Sequence, residues 1–339
     1  MPQSESVSRL VYSSESVVVD VRSPLEFQRG HIPGAINLPL LTNNERAAVG
    51  TAYVQVGRER AVELGMEFVA PRLSAYVNSA SMLSDKPIVM YCARGGMRSA
   101  MLAWFLETVG YSVTTITRGY KGYRAMVLND LERRWPFVVI GGYTGSGKTE
   151  VLQELRKQGK QVLDLEGICN HRGSAFGALQ MQLQPRSEHA MNLIHEALCA
   201  MDVTQPIYVE DESQHIGSVW LHKPFFNHLR QSPLTIVSIP RLQRAEYLAT
   251  VYGGATKQEL IGSFLKIRKP LGGDRLKGAL DAIDAGDLVE AAIIALDHYD
   301  RAYAFGMNRR LIPPTSVIDA PDVSIEHIAQ MIIELHDQR

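Results

Sequence analysis

Short β-branched runs alternate with helical patterns along the first part of the chain. Val17-Val18-Val19-Asp20-Val21 is an apolar run bounded by polar residues, as expected of a buried strand. Ile88-Val89-Met90-Tyr91, after the breaker Pro87, and Val113-Thr114-Thr115-Ile116 predict two more. Helical patterns lie near 44–80 and 97–109. A further helical stretch follows Arg118-Gly119-Tyr120 and runs to Arg134, where Trp135-Pro136 ends it, because proline disfavours helix in the residue before it. The pattern then restarts with Phe137-Val138-Val139-Ile140-Gly141. Further strands are predicted at Val162-Leu163-Asp164-Leu165, Ile207-Tyr208-Val209-Glu210 and Leu234-Thr235-Ile236-Val237-Ser238-Ile239, with Ser316-Val317-Ile318-Asp319 last. Residues 241–308 read as mostly helix, and the chain has no internal repeat. Alternation of this kind implies parallel sheets covered by helices, an α/β fold. The boundary falls at Trp135-Pro136, giving a domain over 1–134 and a second over 137–339.

Length agrees with two domains: 339 residues against roughly 150 per domain. With 45% hydrophobic and 21% charged residues, the chain is globular and not disordered. Three scattered cysteines exclude a disulfide framework and a Cys-x-x-Cys zinc site. The first residues lack a charged-then-apolar leader pattern, and no apolar run approaches the roughly 20 residues of a membrane span. A cytoplasmic, reducing compartment is the expectation. The formal net charge of -1 hides an uneven distribution. Lys+Arg minus Asp+Glu is 15 − 12 over 1–136, 7 − 10 over 137–229, 9 − 3 over 230–277 and 4 − 11 over 278–339. The third segment is where a polyanion would be held.

Cys92-Ala93-Arg94-Gly95-Gly96-Met97-Arg98-Ser99 falls where a strand should end and a helix begin. Such a turn points backbone N–H groups inward, with the positive end of the helix dipole behind them. Gly95 and Gly96 allow the tight turn, and Arg94 and Arg98 add positive charge. The Cys92 thiol is therefore expected to ionise more readily than a free cysteine. The same cup would hold an oxyanion beside the sulfur.

Upstream, Asp20-Val21-Arg22-Ser23-Pro24-Leu25-Glu26-Phe27 and Gly30-His31-Ile32-Pro33-Gly34-Ala35-Ile36-Asn37-Leu38-Pro39 resemble the signature of rhodanese domains. The resemblance implies a rhodanese-like N-terminal domain with a parallel sheet, in which Cys92 carries sulfur or selenium as a persulfide or perselenide. The Cys-x5-Arg spacing from Cys92 to Arg98 is one residue longer than in ordinary sulfurtransferases. It is the size of the cell-cycle dual-specificity phosphatase loop, which shares this fold. A wider cup suits a phosphorus oxyanion or selenophosphate, and loop length alone leaves a phosphatase open.

Gly142-Tyr143-Thr144-Gly145-Ser146-Gly147-Lys148-Thr149 is a complete phosphate loop between a strand and a helix. Its glycines let N–H groups wrap a diphosphate, Lys148 supplies a point charge, and the Thr149 hydroxyl is placed for Mg²⁺. The motif reads phosphates and leaves the rest of the ligand open. Glu210, Asp211 and Glu212 end an apolar strand as metal-organising carboxylates would, and alternation of faces leaves open which one does so. The loop Asp164–Gly177 follows a strand and is dense in polar and glycine residues, at a position where α/β sheets bind ligands. Within it, His171 reads equally as a functional group or a satisfied loop histidine, and Cys169 reads as a small packing residue rather than a second nucleophile.

A rhodanese domain joined to a phosphate-loop domain, with the cysteine loop and the 164–177 segment, resembles the bacterial tRNA 2-selenouridine synthase family over nearly the whole chain. That family replaces sulfur by selenium in the wobble 2-thiouridine of tRNA, using selenophosphate, and also attaches a geranyl group to that sulfur from geranyl diphosphate. The resemblance implies a P-loop NTPase-like second domain with a helical, partly basic extension. It implies Cys92, Arg94 and Arg98 as catalytic residues. Gly142, Thr144, Gly145, Ser146, Gly147, Lys148, Thr149, Asp164, Glu166, Arg172, Glu210 and Asp211 would bind the prenyl diphosphate, with Thr149 on Mg²⁺. No zinc, haem or flavin is expected. Expected partners are tRNA, held by salt-dependent phosphate contacts, and a selenophosphate synthetase that supplies the donor. Candidate contacts to tRNA are Arg230, Arg241, Arg244, Lys257, Lys266, Arg268, Lys269, Arg275 and Lys277, with Arg118, Lys121, Arg124, Arg133 and Arg134 nearer the domain boundary. Two other classes fit parts of the pattern. One is a phosphatase or plain sulfurtransferase with an appended nucleotide domain; the other is a nucleotide kinase or regulatory NTPase.

Overall fold

The structure, a computed structural model, describes residues 3–5, 15–83, 86–310, 312–321 and 323–337. It divides into two compact units, Met1–Asp130 with Met191–His195, and Leu131–Ala190 with Glu196–Arg339.

In chain order the first unit contains β1 (Gln3–Glu5), β2 (Val17–Asp20), α1 (Pro24–Arg29), β3 (Ile36–Asn37), α2 (Asn43–Gln55), α3 (Arg58–Val69), α4 (Leu73–Leu83), β4 (Ile88–Tyr91), α5 (Met97–Thr108), β5 (Val113–Ile116) and α6 (Gly119–Leu131). Its sheet has the order β1-β5-β4-β2-β3, and every pairing is parallel. Parallel strands are covered on both faces, which explains why β4 reads as an unbroken apolar run with all four residues buried. The core gathers Val19, Met90, Leu102 and Leu106 around Cys92 itself. β2 leads on to β3 at one edge while β4 leads on to β5 on the other side. The β2/β4 boundary is thus a topological switch point, the position that opens a crevice at the carboxyl ends of the strands. The single helical pattern expected over 44–80 is three helices. Gly57, at φ +134°, separates α2 from α3, and Pro71 sits in a single 3₁₀ turn before α4. A capping box between Thr42 and Glu45 starts α2.

The second unit runs β6 (Phe137–Gly141), α7 (Lys148–Lys157), β7 (Gln161–Leu163), α8 (Leu165–Cys169), the two ends of α9 (Ser187–Cys199, whose residues 191–195 group with the first unit), β8 (Ile207–Glu210), β9 (His215–Ile216), β10 (Val219–Trp220), α10 (Lys223–Gln231) and β11 (Leu234–Ser238). It continues with α11 (Arg241–Tyr252), α12 (Lys257–Lys266), α13 (Arg268–Leu271), α14 (Gly273–Ala285), α15 (Leu288–Asn308), β12 (Ser316–Asp319) and α16 (Ile325–Asp337). The sheet order is β12-β11-β6-β8-β7, again parallel throughout. β6 and β8 are neighbours whose following connections leave in opposite directions, a second switch point. One core lies between this sheet, α7 and α16; another lies inside the helical lobe α11–α15, around Phe176, Leu260, Phe264 and Ile283. The strand expected over 162–165 ends at Leu163, because the Asp164 side chain accepts from the Gly167 N–H at 2.7 Å and starts α8 as its cap. The hairpin β9–β10 and the short strands β1 and β3 are too brief to leave a periodic signal.

Candidate active sites

Cys92 follows β4 directly and is 3% exposed. The Gly96 N–H and the Ser99 hydroxyl each lie 3.3 Å from its sulfur. Burial works to raise the thiol pKa. The Ser99 hydroxyl and the N–H groups of Arg94, Ser99 and Gly96 outweigh burial, and the pKa falls below its ordinary value. The direction matches the expectation from the sequence; the cause differs in part. Arginine charge is not what lowers it. Arg98 is committed to Glu26, at 2.7 Å and 3.2 Å, and Arg46 approaches the same carboxylate at 3.7 Å. Arg94 is exposed, with no ion pair among the described residues.

The loop is held from behind by the start of α6. Tyr120 and Lys121 donate their N–H groups to the carbonyls of Cys92 and Ala93, at 2.9 Å and 3.0 Å. This approach requires glycine at two places. A Cβ on Gly95 (φ +64°) would lie 2.8 Å from the Arg118 nitrogen, and one on Gly119 (φ +53°) would overlap the Cys92 carbonyl oxygen. Gly96 has open space where a Cβ would go, so of the two loop glycines expected to shape the turn only Gly95 is sterically required. Alongside, Asp20 and Arg22 form a buried pair at 2.6 Å, with Arg22 stacked 3.7 Å from the Tyr120 ring centre.

In the second unit the phosphate loop leaves the carboxyl end of β6 and enters α7, with Gly145 and Gly147 left-handed at φ +82° and +71°. Lys148 reaches back over the loop to the Gly142 carbonyl at 3.1 Å. Thr149 donates to Glu166 at 3.2 Å, and the Glu166 N–H donates to Glu210 at 2.7 Å. Burial, then repulsion from Asp164 and Glu166, pushes the Glu210 carboxyl up to about 8. Burial also raises Glu166, against Lys148 and Thr149. Glu212 lies well above its ordinary value through burial and repulsion from Glu166, its carboxylate packed over Gly173. Ser146 Oγ, Glu150 Oε2 and Glu210 Oε2 are buried with no hydrogen-bond partner among the described residues. Ser146, Glu150, Glu166 and Glu212 line a cavity of about 990 Å³ that also takes in Arg172, Tyr247, Tyr252 and Tyr299.

No three His, Cys, Asp or Glu side chains among the described residues converge to hold a metal ion by themselves. The donor set does fit Mg²⁺, which takes one or two carboxylates and fills the remaining positions with water and phosphate oxygens. Thr149 and Glu166 would hold it, beside buried acids that a bound cation would help to ionise.

Two expected ligand residues act differently. Asp211 is locked by Arg310 at 2.9 Å and Arg230 at 3.4 Å, and accepts from the Tyr303 hydroxyl at 3.2 Å. Tyr303 in turn accepts the Gly142 N–H at 2.9 Å, so that amide is already engaged. Asp164 is a helix cap. Cys169 is pushed up to about 12 by burial and the nearby carboxylates, so it is a thiol and not a nucleophile. His171 is buried, and burial lowers its pKa. Arg172 points its guanidinium at the Leu179 carbonyl, 3.3 Å, and at the Tyr252 ring.

Five of the nine cations in the basic segment 230–277 are paired with carboxylates. Arg230, Arg241, Arg244, Lys257 and Arg275 pair with Asp211, Asp297, Asp300, Asp284 and Asp297. The acidic tail thus supplies the partners of four of these five cations. Lys266, Arg268, Lys269 and Lys277 on α12–α14 remain exposed, without an acidic partner among the described residues. Arg244 is 4% exposed and serves the loop instead: it donates to the Thr144 carbonyl at 3.0 Å and grips Asp300 with both nitrogens.

Residues 4–126 match the profile of the rhodanese-like domain, and residues 135–287 match that of the tRNA 2-selenouridine synthase AAA domain. A tRNA 2-selenouridine synthase of Pseudomonas fluorescens is 33% identical over 90% of this chain and 92% of its own length. The chain belongs to the tRNA 2-selenouridine synthase family. Members of this family are tRNA-modifying transferases. The Psychromonas ingrahamii synthase is 30% identical over 91% of this chain and 92% of its own length. The Nitrosomonas eutropha synthase is 38% identical, and the match spans 73% of this chain and 65% of that relative. In this synthase family member, no helix among the described residues is long and apolar enough to cross a membrane. Sequence reasoning passed over Ser99, Glu26 as a partner of Arg98, and Tyr303. Ser99 sits one turn into α5 and was within reach; Tyr303 lies 161 residues from the amide it engages and carries no local signal.

Proposed function

We propose that this chain replaces sulfur by selenium in the wobble 2-thiouridine of tRNA, in the cytoplasm, through an S-geranylated intermediate. The thiocarbonyl sulfur of the base attacks C1 of geranyl diphosphate. The C1–O bond breaks, diphosphate leaves, and the base loses its ring N–H proton. Selenophosphate held at the Cys92 loop then adds through its selenium at C2, the geranyl thiolate departs where a bare sulfide would not, and water takes the phosphoryl group as the P–Se bond breaks, releasing phosphate. The observation that carries this reading is the cavity of about 990 Å³ at the phosphate loop. It supplies Lys148, Thr149 and Glu166 for a diphosphate, with room beyond for the rest of an ester. Lys148 and the loop amides would hold the leaving diphosphate as its charge develops. Mg²⁺, when bound, neutralises that charge. The Cys92 cup would hold the phosphate of selenophosphate through the loop amides and Arg94. A selenophosphate synthetase is the partner that supplies the donor, and Lys266, Arg268, Lys269 and Lys277 hold tRNA phosphates.

The test is mass spectrometry of wobble nucleosides from cells with and without the chain, complemented by Cys92→Ala. The variant is expected to keep geranylation and lose selenation. Loss of both in a folded variant would undo the division of labour. Tight binding of ATP with none of geranyl diphosphate would undo the assignment of the phosphate loop.

A further inference from the structure

The cavity over the phosphate loop abuts a second, smaller one inside the helical lobe. Thr144, Ser174, Leu248, Tyr252 and Tyr299 line both. Beyond them the walls become apolar. Phe176, Leu260 and Phe264 close one side, all buried. Ala291, Ala292 and Ala295 lie on one face of α15, and their small side chains leave the space open. No charged side chain lines this slot, and its side-chain hydroxyls all belong to residues shared with the larger cavity or standing at its mouth. The Tyr299 hydroxyl already accepts the Ala175 N–H at 3.0 Å. A nucleobase placed here would leave several donors and acceptors unpaired, at about 1–3 kcal/mol each. A hydrocarbon would lose nothing.

We infer that this slot seats the hydrocarbon tail of the diphosphate ester whose head the phosphate loop holds, and that its packed wall at Leu260 and Phe264 selects tail length. The inference rests on the reading of that loop as a diphosphate-ester site. The slot measures about 50 Å³ against about 990 Å³ for the main cavity. Since one water-sized group occupies about 30 Å³, it receives only the end of a tail. The rest lies along Leu248, Tyr252 and Tyr299. A short tail falls short of the slot. A longer one must displace Leu260 or Phe264, which are packed in the core of the lobe.

The experiment is isothermal titration of the full chain with inorganic diphosphate, dimethylallyl diphosphate, geranyl diphosphate and farnesyl diphosphate. Wild type is compared with Ala292→Leu, which fills the slot from a half-buried position, and with Leu288→Ala, which enlarges it. Wild type should bind geranyl diphosphate at least about tenfold more tightly than inorganic diphosphate, the scale of a few methylenes in a fitted pocket. Ala292→Leu should reduce that ratio about tenfold and leave inorganic diphosphate unchanged. Leu288→Ala should raise farnesyl over geranyl affinity about fivefold. Should Ala292→Leu fail to fold, Leu288→Ala carries the test alone. If inorganic diphosphate binds but the tail adds nothing, or if neither folded variant changes the ratios, the slot assignment is overturned by itself. If wild type binds neither the esters nor inorganic diphosphate, the head-group reading falls with it.

Discussion

Replacing Ser99 by alanine tests whether hydrogen bonds, and not arginine charge, make Cys92 reactive. The Ser99 hydroxyl is 3.3 Å from the sulfur and also 3.3 Å from the Gly96 carbonyl, so its single proton is shared between two acceptors. A hydrogen bond to an ionised group contributes about 1.5–3 kcal/mol. At 1.36 kcal/mol per factor of ten, its loss should shift the thiol–thiolate balance toward thiol by about ten- to hundredfold. The shared proton places the expected effect near the lower end. The Gly96 N–H remains in place, which also limits it. The sign follows from the donor: an O–H pointing at sulfur favours thiolate, so its removal raises the pKa. The assay is a pH titration of ultraviolet thiolate absorbance, taken as the difference from Cys92→Ala, which removes any signal from the exposed Cys199. Arg94→Ala serves as the comparison and should move the titration less. An unshifted titration in Ser99→Ala, with a large shift in Arg94→Ala, would refute the reasoning and restore the arginine explanation.

Gly119→Ala should cost more than about 2 kcal/mol of stability of the first unit, since a left-handed alanine is strained and its methyl would meet the Cys92 carbonyl; chemical denaturation monitored by circular dichroism reads it. Glu210 has its carboxyl pushed from an ordinary 4.5 to about 8 by burial, so the folded state holds a proton that the unfolded state releases. In metal-free protein, stability should therefore fall as pH rises between those values, by at most about 4–5 kcal/mol. Glu210→Gln should flatten that slope in thermal melts, and a melt that stays steep in the variant would remove Glu210 as its source. Replacing Lys266, Arg268, Lys269 and Lys277 together by alanine should weaken tRNA binding and reduce the slope of log affinity against log salt by on the order of 3. An unchanged slope in filter binding would take the tRNA contact away from α12–α14.

The elements that were legible from sequence were those set by neighbouring residues. Strand β6 and the phosphate loop follow from four apolar residues ending at consecutive glycines, and α6 stops before Trp135-Pro136. The cysteine loop was legible for the same reason, since its amide cup needs only a strand, a glycine and a helix start. What escaped was pairing across distance. Arg98 meets Glu26, 72 residues earlier, and Arg244 meets Asp300, 56 residues later. Segment charge counts add such partners into separate totals, so a block of +6 reads as free charge although the following block of -7 pairs with Arg241, Arg244, Lys257 and Arg275. Asp211 escaped similarly: its position after a strand suggests a metal ligand, and only its contacts with Arg310 and Tyr303 show it supporting the loop from outside.

The ion pair between Glu26 and Arg98 bears on how the cysteine loop would respond to solution conditions. With that cation spent internally, an anion arriving there meets mainly neutral backbone dipoles. Dipoles at short range are little affected by mobile ions, whereas exposed lysines are strongly so. Raising potassium chloride should consequently release a bound polynucleotide long before it loosens a small oxyanion beside the sulfur, so the two kinds of affinity can be separated in a single salt series.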